Sequence, residues 1–169
     1  MGSFSQWIND FKKLRDSDIS AIWKITEQNA FVLAMDGWVC RKSNYGKNMA
    51  ALTPAEQVFY ICYELDGEVN NGGFSQYLYN SSGNHANRVA DCMDIIGAKR
   101  TAEICRKAMA PFARPLPEDR DEREEFLDEF LTDDVDAILT DCDNAFYDEG
   151  DNLEQLCYSY IHTHKKQFK

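Results

Sequence analysis

The chain has 169 residues, 44% of them hydrophobic, and a formal net charge of −11 from 29 acidic and 18 basic side chains. That length fits one domain with a substantial core, and the lack of any run of about 18 apolar residues excludes a transmembrane helix. The acidic balance, with scattered bases that form no stripe, excludes direct nucleic-acid binding. "MGSFSQWINDFKKLRD" lacks the basic start, apolar middle and small-residue cleavage site of a signal peptide, so a cytoplasmic protein that does not engage membranes is expected. Cys40, Cys62, Cys92, Cys105, Cys142 and Cys157 are scattered, with no C-x-x-C pair and no two short clusters of cysteine and histidine. Zinc sites draw on closely spaced ligands, so these residues read as buried reduced thiols, and neither metal nor cofactor is expected.

Taken in chain order, the elements read as helices. "FSQWINDFKKL" sets Phe4, Trp7, Ile8, Phe11 and Leu14 at helical spacing. "SDISAIWKITEQNAFVLAMD" continues the pattern as one helix, and "CRKSNYGKNMAAL" reads as a loop. "LTPAEQVFYICYELDGEV" opens on a start signal: Thr53 as N-cap, Pro54 at the first helical position, Glu56 closing a capping box. Further helices follow in "SSGNHANRVADCMDII", with Asn84 as N-cap, and in "AKRTAEICRKAMAPF". "APFARPLPED" is a connection, and "EDRDEREEFLDEFL", "TDDVDAILTDCDNAFYDEG" and "NLEQLCYSYIHTHKKQ" are helical again. The fold expected is all-α: one compact helical bundle of about eight or nine helices, residues 1–169, without strands.

Between two helical stretches lies "GEVNNGGFSQYLYNSSGNH", residues 67–85. Read as an active site, it would use Glu68 as acid or base, Asn70 or Asn71 as an oxyanion donor and His85 as partner. Nothing in the spacing specifies a nucleophile, a metal or a phosphate cradle; "NNGG" lacks the lysine and the preceding strand of a P-loop. Read as a corner, Gly72 and Gly73 allow positive φ without steric cost, and at least one of them is expected to take it. Phe74, Tyr77 and Leu78 then enter the core, and Gln76 and Asn80 bond nearby backbone. The corner reading accounts for more of these residues, and no catalytic residue is assigned.

The run "LTPAEQVFYICYELDGEVNNGGFSQYLYNSSGNHA", with "DIIGA" after it, resembles a bacterial family of DNA-mimic proteins, formerly a domain of unknown function. The likeness is strongest over about residues 50–110. Its pattern is Glu68, Asn70, Asn71, Gly72, Gly73, Phe74, Gln76, Tyr77 and Asn80, then a glycine. The resemblance implies an all-helical, homodimeric cytoplasmic protein that occupies the DNA-binding face of transcription regulators, with no cofactor and no catalytic residue.

Charge is unevenly distributed. From Pro117 to Glu154 the sequence holds 17 acids and two arginines, Arg120 and Arg123, a net −15, whereas the remaining residues sum to +4. Helical phase puts Phe126, Leu127 and Phe130 on one side of the first acidic helix, and Val135, Ile138, Leu139, Cys142 and Phe146 on one side of the second. Glu118, Asp121, Glu125 and Glu129, then Asp133, Asp136 and Asp148, point away from those stripes and form the expected partner-binding set. Carboxylates one turn apart sit about 5–6 Å from each other at Cβ, a spacing comparable to phosphates along a strand. Three readings stay open: a DNA mimic that binds a basic DNA-binding protein, an acidic immunity or interaction protein that blocks a basic toxin, and an enzyme using the stretch from Glu68 to His85.

Overall fold

Side-chain caps determine where most of the helices begin. The Asp18 carboxylate accepts the N–H groups of Ser20 and Ala21 at 3.0 and 3.1 Å, and Glu27 accepts those of Asn29 and Ala30. Thr53 and Glu56 form the expected reciprocal box: the Glu56 N–H donates to Thr53 Oγ1 at 3.3 Å, and the Thr53 N–H donates to Glu56 Oε2 at 2.8 Å. Asp119 accepts the N–H groups of Asp121 and Glu122, and Thr132 accepts that of Val135. Each cap satisfies donors that have no partner within the helix itself.

The computed structural model describes residues 4–169; residues 1–3, and the side chains of residues 4–7 and 149, lie outside the described residues. The core positions expected at Phe4 and Trp7 therefore lie outside them. The helices are α1 (Phe4–Arg15), α2 (Ile19–Ile22), α3 (Gln28–Lys42), α4 (Pro54–Tyr79), α5 (Ala86–Ile96), α6 (Lys99–Met109), α7 (Arg120–Phe130), α8 (Asp133–Glu149) and α9 (Leu153–Thr163). Short 3₁₀ turns occupy Met49–Ala51, Ser81–His85 and Lys165–Gln167, and no strand occurs among the described residues. The fold is all-α.

Two boundaries differ from the sequence reading. The single helix expected across "SDISAIWKITEQNAFVLAMD" is two helices, because Asp18 and Glu27 each start a new one and Trp23 closes the first. The loop expected from Cys40 begins instead after Lys42, where Asn44, Tyr45 and Gly46 take positive φ.

The chain divides into two compact units, Met1–Tyr60 with Glu154–Lys169, and Ile61–Leu153; the division falls inside α4. In the first unit, Arg15 on α1 meets the buried Asp36 on α3 at 2.9 Å, and the Cys40 thiol donates to the same carboxylate at 3.2 Å. Burial raises the Asp36 carboxyl above its ordinary range, against the pull of Arg15 and Cys40. Phe31 stacks on His162 with centroids 4.9 Å apart and meets Tyr158 edge-on, which joins α3 to α9. Glu56 is fully buried, and its carboxylate takes the Lys42 ammonium at 2.9 Å as well as the Thr53 N–H.

The second unit buries Leu65, Phe74, Tyr77, Leu78, Val89, Met93 and Leu127 completely. Here α5 lies on α6, and α6 on α8. The Thr101 N–H and hydroxyl both donate to the Asp151 carboxylate, and the Asp151 N–H returns a bond to Thr101 Oγ1 at 3.1 Å. This reciprocal pair fixes the start of α6 to the segment after α8. All six cysteines are buried thiols. Burial pushes Cys92 up to about 11 and Cys105 up to about 12, which keeps both protonated and unreactive at neutral pH.

Replacing Glu56 by alanine removes both an ion-pair partner and a helix cap. The expected loss is about 2–3 kcal/mol, below the value for a fully buried pair because Lys42 keeps contact with water. Urea unfolding of parent and variant measures it, and Glu56→Gln should recover part of the loss through the cap alone.

Candidate functional site

The corner at residues 67–85 is a sharp break inside α4. Helical backbone stops at Gly72, with φ −165° and ψ 22°, and at Gly73, with φ 77° and ψ −177°. The Gly73 angles belong to glycine, and a Cβ there would collide with the carboxylate of Asp143. That carboxylate accepts the Phe74 N–H at 2.7 Å. Asp143 thus caps the second segment of α4 from a different helix, α8. Behind the break, Phe74 and Tyr77 are wholly buried, as expected. The Tyr77 hydroxyl has no hydrogen-bond partner among the described residues, and burial raises its phenol well above the usual value.

The polar residues of the corner converge on Glu68. Its Oε2 accepts the side-chain amides of Gln76 at 2.6 Å and Asn80 at 2.8 Å, and its Oε1 accepts the Ser82 hydroxyl at 3.1 Å. Gln76 and Asn80 therefore bond a carboxylate rather than nearby backbone, because the chain reversal brings them back beside the helix that carries Glu68. The Asn70 amide returns to the carbonyl and carboxylate of Asp66, and Asn71 is exposed. Glu68 thus serves as the hub that closes the turn. His85 is half-buried in the following 3₁₀ turn, and burial lowers its imidazole below the ordinary value. Asn84 does not cap α5: its Oδ1 accepts Arg123 Nη2 at 2.9 Å, and α5 starts from His85 without a side-chain cap bond.

Arg123 is the residue that sequence reasoning missed. It appeared there only as one of two bases in the acidic region, whereas its side chain is fully buried. Nε donates to Leu78 O at 2.7 Å, and Nη2 to Asn80 O at 2.7 Å as well as to Asn84. Nη1 donates to the carbonyls of Pro117, Glu118 and Asp119 at 2.9, 3.1 and 3.4 Å. One planar guanidinium therefore joins the corner to the start of α7, using carbonyl and amide oxygens and no carboxylate. Gly83 leaves room for it: a Cβ at that position would lie 2.9 Å from Arg123 Nε.

Further bonds tie the acidic helices to the corner. Tyr79 donates its hydroxyl to Asp128 of α7 at 3.1 Å, and Arg120 Nε donates to Tyr79 O at 3.1 Å. On α8, Asp136 accepts the Ser75 hydroxyl at 3.5 Å, and the Tyr147 hydroxyl donates to Val69 O at 2.6 Å. The signature residues and the acidic helices are one assembly.

Glu118, Asp121, Glu125, Glu129, Asp133, Asp136 and Asp148 are all exposed. Among the described residues none of the seven lies within ion-pair distance of a lysine, arginine or histidine; the one ion pair of α7 joins Arg120 to Glu124 at 2.9 Å. The apolar stripes differ from expectation at three positions, one of which, Val135 in the first turn of α8, is only half-buried. Phe126, Leu127, Leu139, Cys142 and Phe146 are buried, but Phe130 is 39% and Ile138 41% exposed. Phe130 stacks on Phe126 at the last turn of α7, and Ile138 sits at the rim of α8.

The profile of the DMP19-like protein family matches residues 50–164, from the capping box through the acidic helices and α9. The chain belongs to this family of DNA-mimic proteins. The match is longer than the stretch from 50 to 110 over which the resemblance was strongest, and it takes in Arg123 and all seven carboxylates. No curated protein and no solved structure matches the chain.

Two substitutions test the assembly. Arg123→Lys keeps the charge, but a single ammonium cannot serve acceptors on both the corner and α7. Buried carbonyls are left unmatched, with an expected loss of roughly 2–4 kcal/mol in urea unfolding. Asp143→Asn keeps an acceptor for the Phe74 N–H and removes a carboxylate whose burial raises its pKa, with Asp136 adding to the rise. A raised native pKa means that the folded parent binds the proton more tightly, so the parent gains stability as pH falls. The variant should be at least as stable as the parent at pH 7, and the difference should shrink as pH drops through the Asp143 pKa, where both side chains are neutral. Unfolding midpoints from pH 7 to about pH 4 measure this.

Proposed function

We propose that this protein is a non-enzymatic DNA mimic whose acidic helices α7 and α8 occupy the DNA-binding surface of a basic transcription regulator or nucleoid protein. The observation that carries the reading is the set of seven exposed carboxylates, none with an ion-pair partner among the described residues, carried beside the glycine corner. Duplex DNA presents about one negative charge per 1.7 Å of axis. A protein imitates that field only if its carboxylates stay ionised, unneutralised and fixed in position. Family membership supports the same reading. Glu68, the residue an enzymatic reading would need as acid or base, is engaged by Gln76, Asn80 and Ser82, which favours a structural role for it.

Binding of this kind is steered by the summed field and weakens as salt screens it. The test is competition: a basic DNA-binding protein is loaded with labelled duplex, and this protein is titrated in. Displacement is expected, with an association rate that falls steeply with ionic strength. Reversing Asp121, Glu125, Asp133 and Asp148 together to lysine should slow association about ten- to a thousandfold, and a single reversal much less. A partner that holds this protein and duplex simultaneously, or that binds the fourfold variant as well as the parent, contradicts the reading.

A further inference from the structure

Where α6 meets α8, the surface opens into a cleft of about 580 Å³. Ile104, Ala110 and Pro111 form one side, and Ile138, Cys142 and Ala145 the other, so the interior is mostly hydrocarbon. Ile138 does not fill this space; it stands 41% exposed on the rim. This is the position that departed from the expected buried stripe of α8.

The charges around the cleft are arranged with respect to that apolar interior. On α8, residues 134, 138, 141, 145 and 148 recur at three- and four-residue spacing and share one side of the helix. That side reads Asp134, Ile138, Asp141, Ala145, Asp148, so apolar and acidic positions alternate about one turn apart. Asp141 and Lys107 line the cleft from its two walls. Lys107 stands on the α6 wall; on the α8 side the charged residues are all carboxylates, since the sequence from 133 to 149 contains no lysine, arginine or histidine.

We infer that this cleft takes an apolar side chain from a helix of the basic partner, one with a leucine-sized residue and a lysine or arginine one turn to either side. The inference rests on the DNA-mimic reading and specifies the partner chemistry at the same surface. Charge complementarity decides the occupant. A basic helix laid along α8 sets its cations against Asp134, Asp141 and Asp148 while its apolar residue enters beside Ile138. A second copy of this chain, seated with its own α8 in the cleft, sets carboxylates against carboxylates. The chemistry also matches what a DNA-reading helix presents, since such helices carry apolar side chains that meet the thymine methyl in the major groove, between cations that meet phosphates. The cleft would then stand in for the methyl and the α8 carboxylates for the phosphates.

The experiment uses the full-length protein and two synthetic probes. One is a fluorescein-labelled helical peptide with a single leucine flanked by lysines one turn before and after; the other is the same peptide with leucine replaced by glutamine, at identical charge. Anisotropy titrations give both affinities at low and raised salt. The leucine peptide should bind the parent about five- to tenfold more tightly than the glutamine peptide, as burying part of one apolar side chain implies. That ratio should persist from about 0.1 M to 0.5 M salt while both affinities fall together. Ile138→Ser, at an exposed position, should bring the ratio close to one and leave the glutamine peptide's affinity unchanged. Equal affinities for the two peptides on the parent overturn the cleft assignment, and if the fourfold charge reversal still weakens both, the acidic-face reading stands without it. If the charge reversal weakens neither peptide, the acidic-face reading fails; a leucine preference that survives there and is lost in Ile138→Ser supports the cleft independently. Equal peptide affinities, together with concentration-dependent self-association that Ile138→Ser abolishes, overturn the inference in favour of a second copy.

Discussion

A single buried guanidinium holds the second unit in register. Placing the Arg123 cation out of water costs several kcal/mol unless its donors are met, and here they are met by six oxygens from two directions. Three belong to the corner and three to the turn that starts α7. Because the acceptors are carbonyl and amide oxygens, the charge is solvated by backbone and draws no carboxylate inward. The carboxylates of α7 are thereby left to face solvent, and the one cation buried in the acidic segment removes none of them from the surface.

The corner makes this arrangement possible. Gly73 lets α4 break sharply, Asp143 caps the segment that follows, and Glu68 closes the turn by taking three side-chain donors. Tyr79 and Ser75 then reach Asp128 and Asp136 on the two acidic helices. Like charges a turn apart repel, and a helix as acidic as α8 carries that cost along its length. The hydrogen bonds from the corner and the buried stripe of Leu139, Cys142 and Phe146 offset it. Much of the family signature then has a structural role: Glu68, Gly73, Gln76 and Asn80 build a mount, and the mount carries the charge.

Much of this was legible from residue order alone, where the controlling interaction is local. The capping box of Thr53 and Glu56 spans four residues, and the break after Gly72 follows from the positive φ that Gly73 can take. The exposure of Asp121, Glu125, Glu129, Asp133, Asp136 and Asp148 follows from helical phase, whereas Glu118, expected on the same helix, stands in the turn before α7 because Asp119 caps the helix after it. Other features depend on chain reversal and could not be read from spacing. Gln76 and Asn80 are eight and twelve residues from Glu68, and only the fold brings the three together. Arg123 lies amid acids, where a surface ion pair is the ordinary expectation, yet its acceptors include carbonyls more than 40 residues away. Ile138 has the phase of a core residue, but α6 ends on Ala110 and Pro111, residues too small or too short to cover it. Asp18 and Glu27 broke a continuous apolar periodicity because a cap can end a helix that hydrophobic spacing alone would continue.

On the proposed reading, a basic DNA-binding partner meets the carboxylates mounted on the corner. Carbodiimide labelling of carboxylates, read residue by residue by mass spectrometry with and without the partner bound, tests it most directly. Protection of Asp121, Glu125, Asp133 and Asp148 is expected, with acids of the first unit such as Asp16 and Glu27 labelled equally in both states. Protection confined to the first unit, with α7 and α8 labelled as in the free protein, would contradict it.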